Sequence, residues 1–520
     1  MRKHLVLSLL CFCFVAANAQ KSKDSTVYTT FKDLPLKAER TISFDTKEGT
    51  FMSLDISPDG KTIAFDMMGD IYTVPVEGGK AKQITKGIAF DAHPRFSPDG
   101  KKLLFTSDRS GADNIWILDF EKQDTLQLTK TNVEDYVNAI WTPDGKYIIA
   151  AKGRRTPRLW MYNIDGGGGI QLNDQPGSLK TIDPNFSADG KLIYYSQRNG
   201  AWNYNALLPQ YQIGVYNREK GEYNTVTSRY GSAFTPTLSK DGKWMVYGSR
   251  YQDKTGLVLR NLLNGEEKWL AYPVQRDDQE SIAPLGVLPG MTFTPDSKYL
   301  LASYGGKIWK LSVAEEAPSE IAFEAGVNLE VGPRLYFNYP VKDTAYALGS
   351  QIRDAVPSPD GRKLAFTSLN RLYVMDYPNG SPKRVTNHNF VEAMPAWSPS
   401  GASLVFVTWN DTDGGNLYTV NADGSNLKKL SIEAAYYAQP AWSYNNRIAY
   451  FKAPNRIFKE AESPSYNGSE AVINWIDPAG GKEHFIDNAN GRGNVHFTTD
   501  TERVFLNGGG GTLLSIRWDG

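Results

Sequence analysis

The sequence predicts an all-β chain of two β-propellers built from four-stranded blades, the first six-bladed and the second incomplete. Three observations lead there: a tight-turn tetrapeptide that recurs along the chain, strand signals at fixed offsets on both sides of it, and a composition suited to turns and pleated sheets. The 520 residues include 47 Gly and 28 Pro, spread rather than clustered, and aromatic residues reach 12%. Apolar residues make up 41% and charged residues 22%, enough of each for a globular protein with a real core. Lys+Arg and Asp+Glu are both 57, a net charge of +0, which removes a strongly basic nucleic-acid binder and a strongly acidic tail.

Residues 1–19 read as an export signal. Arg2 and Lys3 form a charged start, Leu5 to Val15 an apolar stretch, and Ala17-Asn18-Ala19 a small-x-small cleavage site, so cleavage is expected before Gln20. About 11 apolar residues are too few to span a bilayer, and no later stretch approaches the run of about 18 that a membrane helix needs. Cys11 follows Leu10 and Cys13 follows Phe12, which argues against a lipoprotein. Both cysteines leave with the signal, so the exported protein is expected to have no disulfide, no thiol nucleophile and no cysteine-bound metal.

The repeat comes next. Ser57-Pro58-Asp59-Gly60 recurs as Ser97-Pro98-Asp99-Gly100, Thr142-Pro143-Asp144-Gly145 and Ser358-Pro359-Asp360-Gly361. Degenerate copies start at Ser187, Ser239, Thr294, Ser398, Ser443 and Thr498. Pro presets φ near −65°, Asp bonds its own backbone, and Gly takes the positive-φ position that closes a hairpin. An apolar residue precedes each turn, as at Phe96, Trp141, Phe186 and Trp397. Lys61 to Phe65, Lys101 to Phe105 and Lys363 to Phe366 supply a second strand. A third carries an apolar-aromatic pair, as in Ile71-Tyr72, Ile115-Trp116 and Leu372-Tyr373, and a fourth ends at Ile84-Thr85, Leu128-Thr129 or Val385-Thr386. Four short strands in one repeated order describe a propeller blade rather than a sandwich.

Ten blades exceed one ring, since propellers typically have about 4–8. The longest gap between turns runs from Thr294 to Ser358, and its irregular stretch, Glu315 to Val356, is the expected boundary. The organisation read from this is a signal over 1–19, an N-terminal segment with a ring-closing strand over 20–48, a six-bladed propeller over 49–345, and a partial second propeller of about four blades over 346–520. Arg40 to Phe44 (RTISF) is expected on the outer edge of blade six, where it would cover an exposed edge. The tenth copy stops at Asp519-Gly520, the turn that should introduce a fourth strand, which suggests a longer natural product.

Arg40 to Gly87, with RTISFDTKEGTFMSLDISPDGKTIAFDMMGDIYTVPVEGG inside it, resembles the start of secreted proteins in which TolB-like (WD40-like PD40) propeller repeats are fused to an amidohydrolase domain. So do LWMYNIDGGGGIQL from Leu159, WNYNALLPQYQIGVYNREKGE from Trp202, RDDQE at Arg276 to Glu280, LLASYGGKIWKL from Leu300, and SPDGRKLAFTSLNRLYVMDYPNGSPKRVT from Ser358. The resemblance covers about 40 to 520. It implies that a metal-dependent hydrolase domain lies after the propellers, beyond this sequence.

The residues themselves supply no catalytic set. His93, His388, His484 and His496 include no His-x-His and no His-Glu-x-x-His, and each is expected at a loop or blade surface. No Gly-x-Ser-x-Gly elbow occurs. Gly166 to Gly169 and Gly508 to Gly511 lack the Lys and helix of a P-loop and read as hairpin loops. No metal or other cofactor is expected in this chain. Arg276, Asp277, Asp278 and Glu280 form the densest charge cluster off the repeat. They are the candidate ligand or partner contact, weighed against a loop that caps itself through Asp-to-backbone bonds. Trp202, Tyr204, Tyr211, Tyr216, Tyr223 and Tyr230 read as blade core, with glycan stacking as the alternative.

The expected role is non-catalytic: a substrate-gating or docking module of an exported, periplasmic amidohydrolase-type enzyme. The partners would be a protein or a downstream hydrolase domain, with a peptide or small-molecule substrate at the channel, no nucleic acid and no membrane span. A freestanding TolB-like protein-binding scaffold and a propeller enzyme such as a polysaccharide lyase are the rivals.

Overall fold

The computed structural model describes residues 37–173, 176–200, 208–276, 286–314, 316–334, 339–340, 343–461 and 464–520. The expected signal segment lies outside them. Among the described residues the strands form ten sheets, eight of four strands, one of six and one of three. Each turn copy introduces the second strand of one sheet. In the second sheet the order is Asp91–Phe96, Lys102–Ser107, Asn114–Asp119 and Asp124–Gln127, all antiparallel neighbours.

The turns are locked by their own side chains. Ser57 Oγ donates to Asp59 Oδ1 at 2.6 Å and accepts from the Thr62 N–H at 3.0 Å, while Asp59 Oδ1 accepts from the Lys61 N–H at 3.1 Å. The first-to-third side-chain bond recurs at Ser97, Thr142, Ser187, Ser239, Thr294 and Ser358. The Ser57 hydroxyl, then the Lys61 amide, hold the Asp59 carboxyl below the usual carboxylate range. Gly60, at φ 73, sits where L-residues are strained. The turns also touch one another: a Cβ on Gly100 would stand 3.4 Å from Pro58, and one on Gly60 would stand 3.5 Å from Pro295.

Apolar alternation drives the packing. The second strand of each sheet but the last is buried on both faces, as in Ile63, Ala64 and Phe65, or Leu404, Val405 and Phe406, because sheets stack face to face. The innermost strands of the first six sheets touch in sequence, and Thr292–Phe293 of the sixth returns to Leu54–Ile56 of the first. Arg353–Pro357, Val391–Trp397, Tyr436–Trp442 and Gly493–His496 form a second series of neighbours.

Two expectations need correction. Arg40–Thr46 is not on the sixth sheet. It pairs antiparallel with Phe323–Val331, which in turn pairs parallel with Gly79–Gln83, the fourth strand of the first sheet. The sixth sheet, Thr292–Phe293, Tyr299–Tyr304, Lys307–Ser312 and Ser319–Ile321, is complete without it. The second correction follows: the stretch expected to be irregular, Glu315 to Val356, holds this nine-residue strand. FEAGVNLEV alternates, with Phe323, Ala325 and Val327 buried and Glu324, Gly326 and Asn328 exposed. Its buried side chains join the core of the first sheet beside Met52, Phe65 and Tyr72.

Between Val331 and Arg353 the described residues are in neither strand nor helix, and Tyr346 and Leu348 are 89% and 93% exposed. Brief chymotrypsin digestion should therefore cut at Tyr346 or Leu348 before any site inside a sheet. Mass spectrometry of the first fragments checks this, and early cuts scattered through 54–312 would count against it.

Candidate functional site

The position four residues before each turn is special. It falls on the innermost strand, and in eight of the ten copies it is a non-glycine residue with positive φ: His93 (57°), Asn138 (50°), Asp183 (53°), Thr235 (55°), Asp354 (52°), Met394 (53°), Gln439 (46°) and Asn494 (53°). Each marks a break in pairing with the second strand, so each innermost strand carries a bulge. Such backbone costs about 1–3 kcal/mol per residue and persists only where surroundings hold it. Thr235, being β-branched, is the least tolerant of it. In the first and sixth copies the position is Ser53 and Gly290.

Polar side chains hold the bulges across neighbouring sheets. Asp66 Oδ1 accepts from the Ser53 N–H and Oδ2 from the His93 N–H, both at 2.7 Å. Asp183 accepts from Ser196 Oγ at 2.9 Å, from Thr235 Oγ1 at 3.2 Å and from Asn138 Nδ2. Arg95 Nη1 donates to the carbonyls of Leu54 at 3.0 Å and Met291 at 3.2 Å, with Asp55 at 3.9 Å. In the second series Asp354 accepts from the Met394 N–H at 3.0 Å, Met394 Sδ from the Gln439 N–H at 3.2 Å, and Gln439 Oε1 from the Asn494 N–H at 2.6 Å. In this second series the side chains of Asp354, Met394 and Gln439 thus each hold the next bulge.

Burial shapes the ionisation of this cluster. It pushes Asp66 up to about 7 and Asp183 up to about 6 against their hydrogen-bond donors. Burial first, then the Arg95 charge, holds the His93 imidazole down to about 3. Ser53 Oγ lies 3.2 Å from His93 Nδ1 with Asp66 close by, yet this is no nucleophile triad. Asp66 binds the His93 backbone rather than its ring, and a histidine that stays neutral down to about 3 is a poor base at neutral pH. His93 is also a correction: it is 4% exposed on an innermost strand, not at a surface. Its Nε2 is buried with no hydrogen-bond partner among the described residues.

Above the bulges a cavity of about 400 Å³ takes its wall from six sheets. Each supplies the residues leading into one turn, from Asp55 to Pro58 in the first to Met291 to Pro295 in the sixth. Ile56, Phe96, Ile140, Trp141, Phe186 and Leu238 make the wall apolar, and Arg95 with Asp55 supplies charge. No group of three or more His, Cys, Asp or Glu among the described residues is arranged to hold a metal ion.

The expected contact cluster is only reached at its edge. Arg276 ends the strand Glu267–Arg276, so it is not a loop residue, while Asp277, Asp278 and Glu280 lie outside the described residues. Where description resumes, Gly286 lies beside Asn138 and Asp183, and Val287, Leu288 and Met291 are buried. Trp202 and Tyr204 also lie outside the described residues. Tyr211 is core, Tyr216 stacks on Tyr223 at 5.1 Å, and Tyr223 and Tyr230 are exposed, so the core reading fails for those two. His388 stacks on Phe390 and His484 on Trp475. The bulge residues were missed, although an x-Pro pair at His93-Pro94, Asp183-Pro184, Thr235-Pro236, Met394-Pro395 and Gln439-Pro440 marks them at constant distance from the turn.

Comparison with known proteins fits this geometry. Residues 50–204 match the family model of the Tricorn protease N-terminal beta propeller domain, and residues 351–474 match that of the TolB beta propeller domain. The chain carries propeller-type domains. Tricorn protease homolog 1 of Streptomyces coelicolor is 33% identical over 115 residues, 21% of this chain and 11% of that protein. The Tol-Pal system protein TolB of Wolinella succinogenes is 23% identical over 198 residues, 35% of this chain and 46% of that protein. The chain thus spans less than half the length of either relative. Among solved structures, the putative TolB from Agrobacterium tumefaciens aligns with a TM-score of 0.39 at 20% identity, over 50% of this chain and 95% of that one. No helix among the described residues is long and apolar enough to cross a membrane.

Proposed function

We propose that the chain is an exported, non-catalytic recognition module whose first six blades close into one propeller over 49–345 and seat a peptide segment at its turn-side mouth. The remaining blades, over 346–520, belong to a second propeller. The observation that carries this is the single cavity walled by turns from six sheets. Its volume is in the range of ligand pockets, its wall is mainly apolar, and its few charges sit at fixed points. Rigid sheets hold the turns in place, so binding costs little ordering.

The leader-like residues 1–19 support an exported, periplasmic location. The family-like segments quoted above support a docking or gating role beside an amidohydrolase-type enzyme. The TolB match over 351–474 favours a second reading, a freestanding protein-binding scaffold. Both readings predict a purified chain that binds peptides and turns none over.

Ala188 is exposed at the rim of the mouth, so Ala188→Trp should block the cavity without disturbing the core. Peptides selected by the full chain from a random library should lose at least about tenfold in affinity for this variant. Hydrolysis of peptides or cyclic amides by the purified chain, or peptide binding indifferent to Ala188→Trp, would overturn the proposal.

A further inference from the structure

Below the mouth, the ring of innermost strands is shut. Each of these strands runs toward its turn, so a residue that precedes the bulge position lies on the side away from the mouth. Gly286 to Gly290 lead into Thr292–Phe293, the innermost strand of the sixth sheet, but they do not stay beside it. A Cβ on Gly286 would stand 3.2 Å from Asp183 Oδ1 and 3.3 Å from Asn138 Nδ2, on the fourth and third sheets. At the other end of the segment, the Gly290 N–H donates to Ser53 Oγ at 3.0 Å and the Gly290 carbonyl accepts from the Leu54 N–H at 2.9 Å, beside the first sheet. The segment therefore crosses the ring from one side to the other, as a strap.

Polar contacts tighten this floor. Asn138 donates to Asp183, Thr235 Oγ1 donates to Asp183 at 3.2 Å, and Ser53 Oγ stands 3.2 Å from His93 Nδ1. Ser53, His93, Asp183, Thr235, Val287 and Leu288 are each no more than 6% exposed. A water-filled passage would wet these residues from within. The void between mouth and strap, lined by Arg95, Asp183, Thr235 and Leu288 among others, is about 20 Å³, room for about one water. The mouth is thus a blind pocket, and whatever enters it leaves by the same side.

Charge narrows the occupant. The two charges deepest in the wall are already committed to the protein. Arg95 Nη1 donates to the Leu54 and Met291 carbonyls and stands 3.9 Å from Asp55 Oδ1, while Asp55 Oδ2 accepts from the Phe96 N–H at 2.9 Å. Lys240, the other charge of the wall, is exposed at the rim. A chain terminus carries a full charge, and burying it without a counter-charge is costly. The tip of a loop brings no such charge, and its apolar side chains match Ile56, Phe96, Trp141 and Phe186.

We propose that the mouth receives the apolar tip of a loop on a partner protein, and takes neither a chain end nor a threaded chain. This rests on the mouth being a peptide-binding site and narrows what binds there. The first six sheets dock a partner; they do not pass a substrate through.

The test starts from sequences that the full chain selects from a random linear library and that lose binding to Ala188→Trp. Each is remade with acetylated and amidated ends, and again with the ends joined through glycine linkers of several lengths. Capped forms should bind within about twofold of the parent, and the best joined form about threefold or more tighter, since joining the ends removes part of the ordering cost. Replacing the most apolar residue of a joined peptide by Asp should cost at least about tenfold. A loss of about tenfold or more on capping, or no binding by any joined form, would overturn the loop-tip proposal and leave the mouth as a peptide site. Absence of any binder sensitive to Ala188→Trp would sink both. Hydrogen exchange reads the floor directly: the Ser53, His93 and Gly290 amides should be strongly protected in the unliganded chain. Exchange there as fast as in the exposed stretch 343–352 would mean an open channel and would also overturn the proposal.

Discussion

Val327→Asp should destabilise the first six sheets by about 3–5 kcal/mol, the cost of an unpaired charge in a buried site. Val327 is 1% exposed and packs in the strand that joins the end of the sixth sheet's sequence to the edge of the first. A carboxylate there would sit among apolar side chains such as Met52, Phe65 and Tyr72 and would loosen both pairings of Phe323–Val331. Deleting 37–46 should cost less. It removes Arg40–Thr46, which is mostly exposed, and leaves the parallel pairing with Gly79–Gln83 in place. Urea unfolding followed by tryptophan fluorescence separates the two. A deletion as damaging as Val327→Asp would mean that Arg40–Thr46, not Phe323–Val331, holds the edge.

Asp66→Ala should cost about 2–6 kcal/mol. It strands the Ser53 and His93 N–H groups in a dry interior, at about 1–3 kcal/mol for each donor left without an acceptor. The ionisation of Asp66 adds a pH signature. Its folded value, about 7, lies above the ordinary 3.8 because burial disfavours the charge. Between about pH 4 and pH 7 the native state therefore holds a proton that the unfolded chain has released. The stability from this group is full below about pH 4, falls as pH rises to about 7, and is flat beyond. Asp183 acts with the same sign over a narrower window ending at about 6. Comparing unfolding free energies at pH 5 and pH 8 should show a smaller drop in Asp66→Asn than in the parent. An equal drop in both would assign the pH dependence to other groups.

The sheets were legible because their signal is local. Ten turns, four with Pro, Asp and Gly in order and six degenerate, each mark a hairpin within about six residues, and all ten introduce a strand pair. What went astray depends on contacts far apart in sequence. Nothing within Arg40–Thr46 says whether its partner is the sixth sheet or a later strand. The alternation in FEAGVNLEV marked a strand, yet its length between turns hid it among irregular residues. The bulge residues share no side-chain type, since His, Asn, Asp, Thr, Met and Gln all serve. Position relative to the turn carries the information, and residue identity does not. His93 was judged by its missing metal-ligand spacing, a criterion blind to burial.

The pairing of Phe323–Val331 also dictates an order of assembly. Ser43 bonds Asn328 across a separation of 285 positions, so the N-terminal strand and the first sheet leave the ribosome long before the segment that covers them exists. Until then the edge at Gly79–Gln83 stands open on a nascent chain, a template for wrong partners. Closure at such high contact order is slow, and it comes last. The interval between synthesis of the first and sixth sheets is when this protein is most exposed to misassembly, and when a chaperone that shields strand edges would matter most.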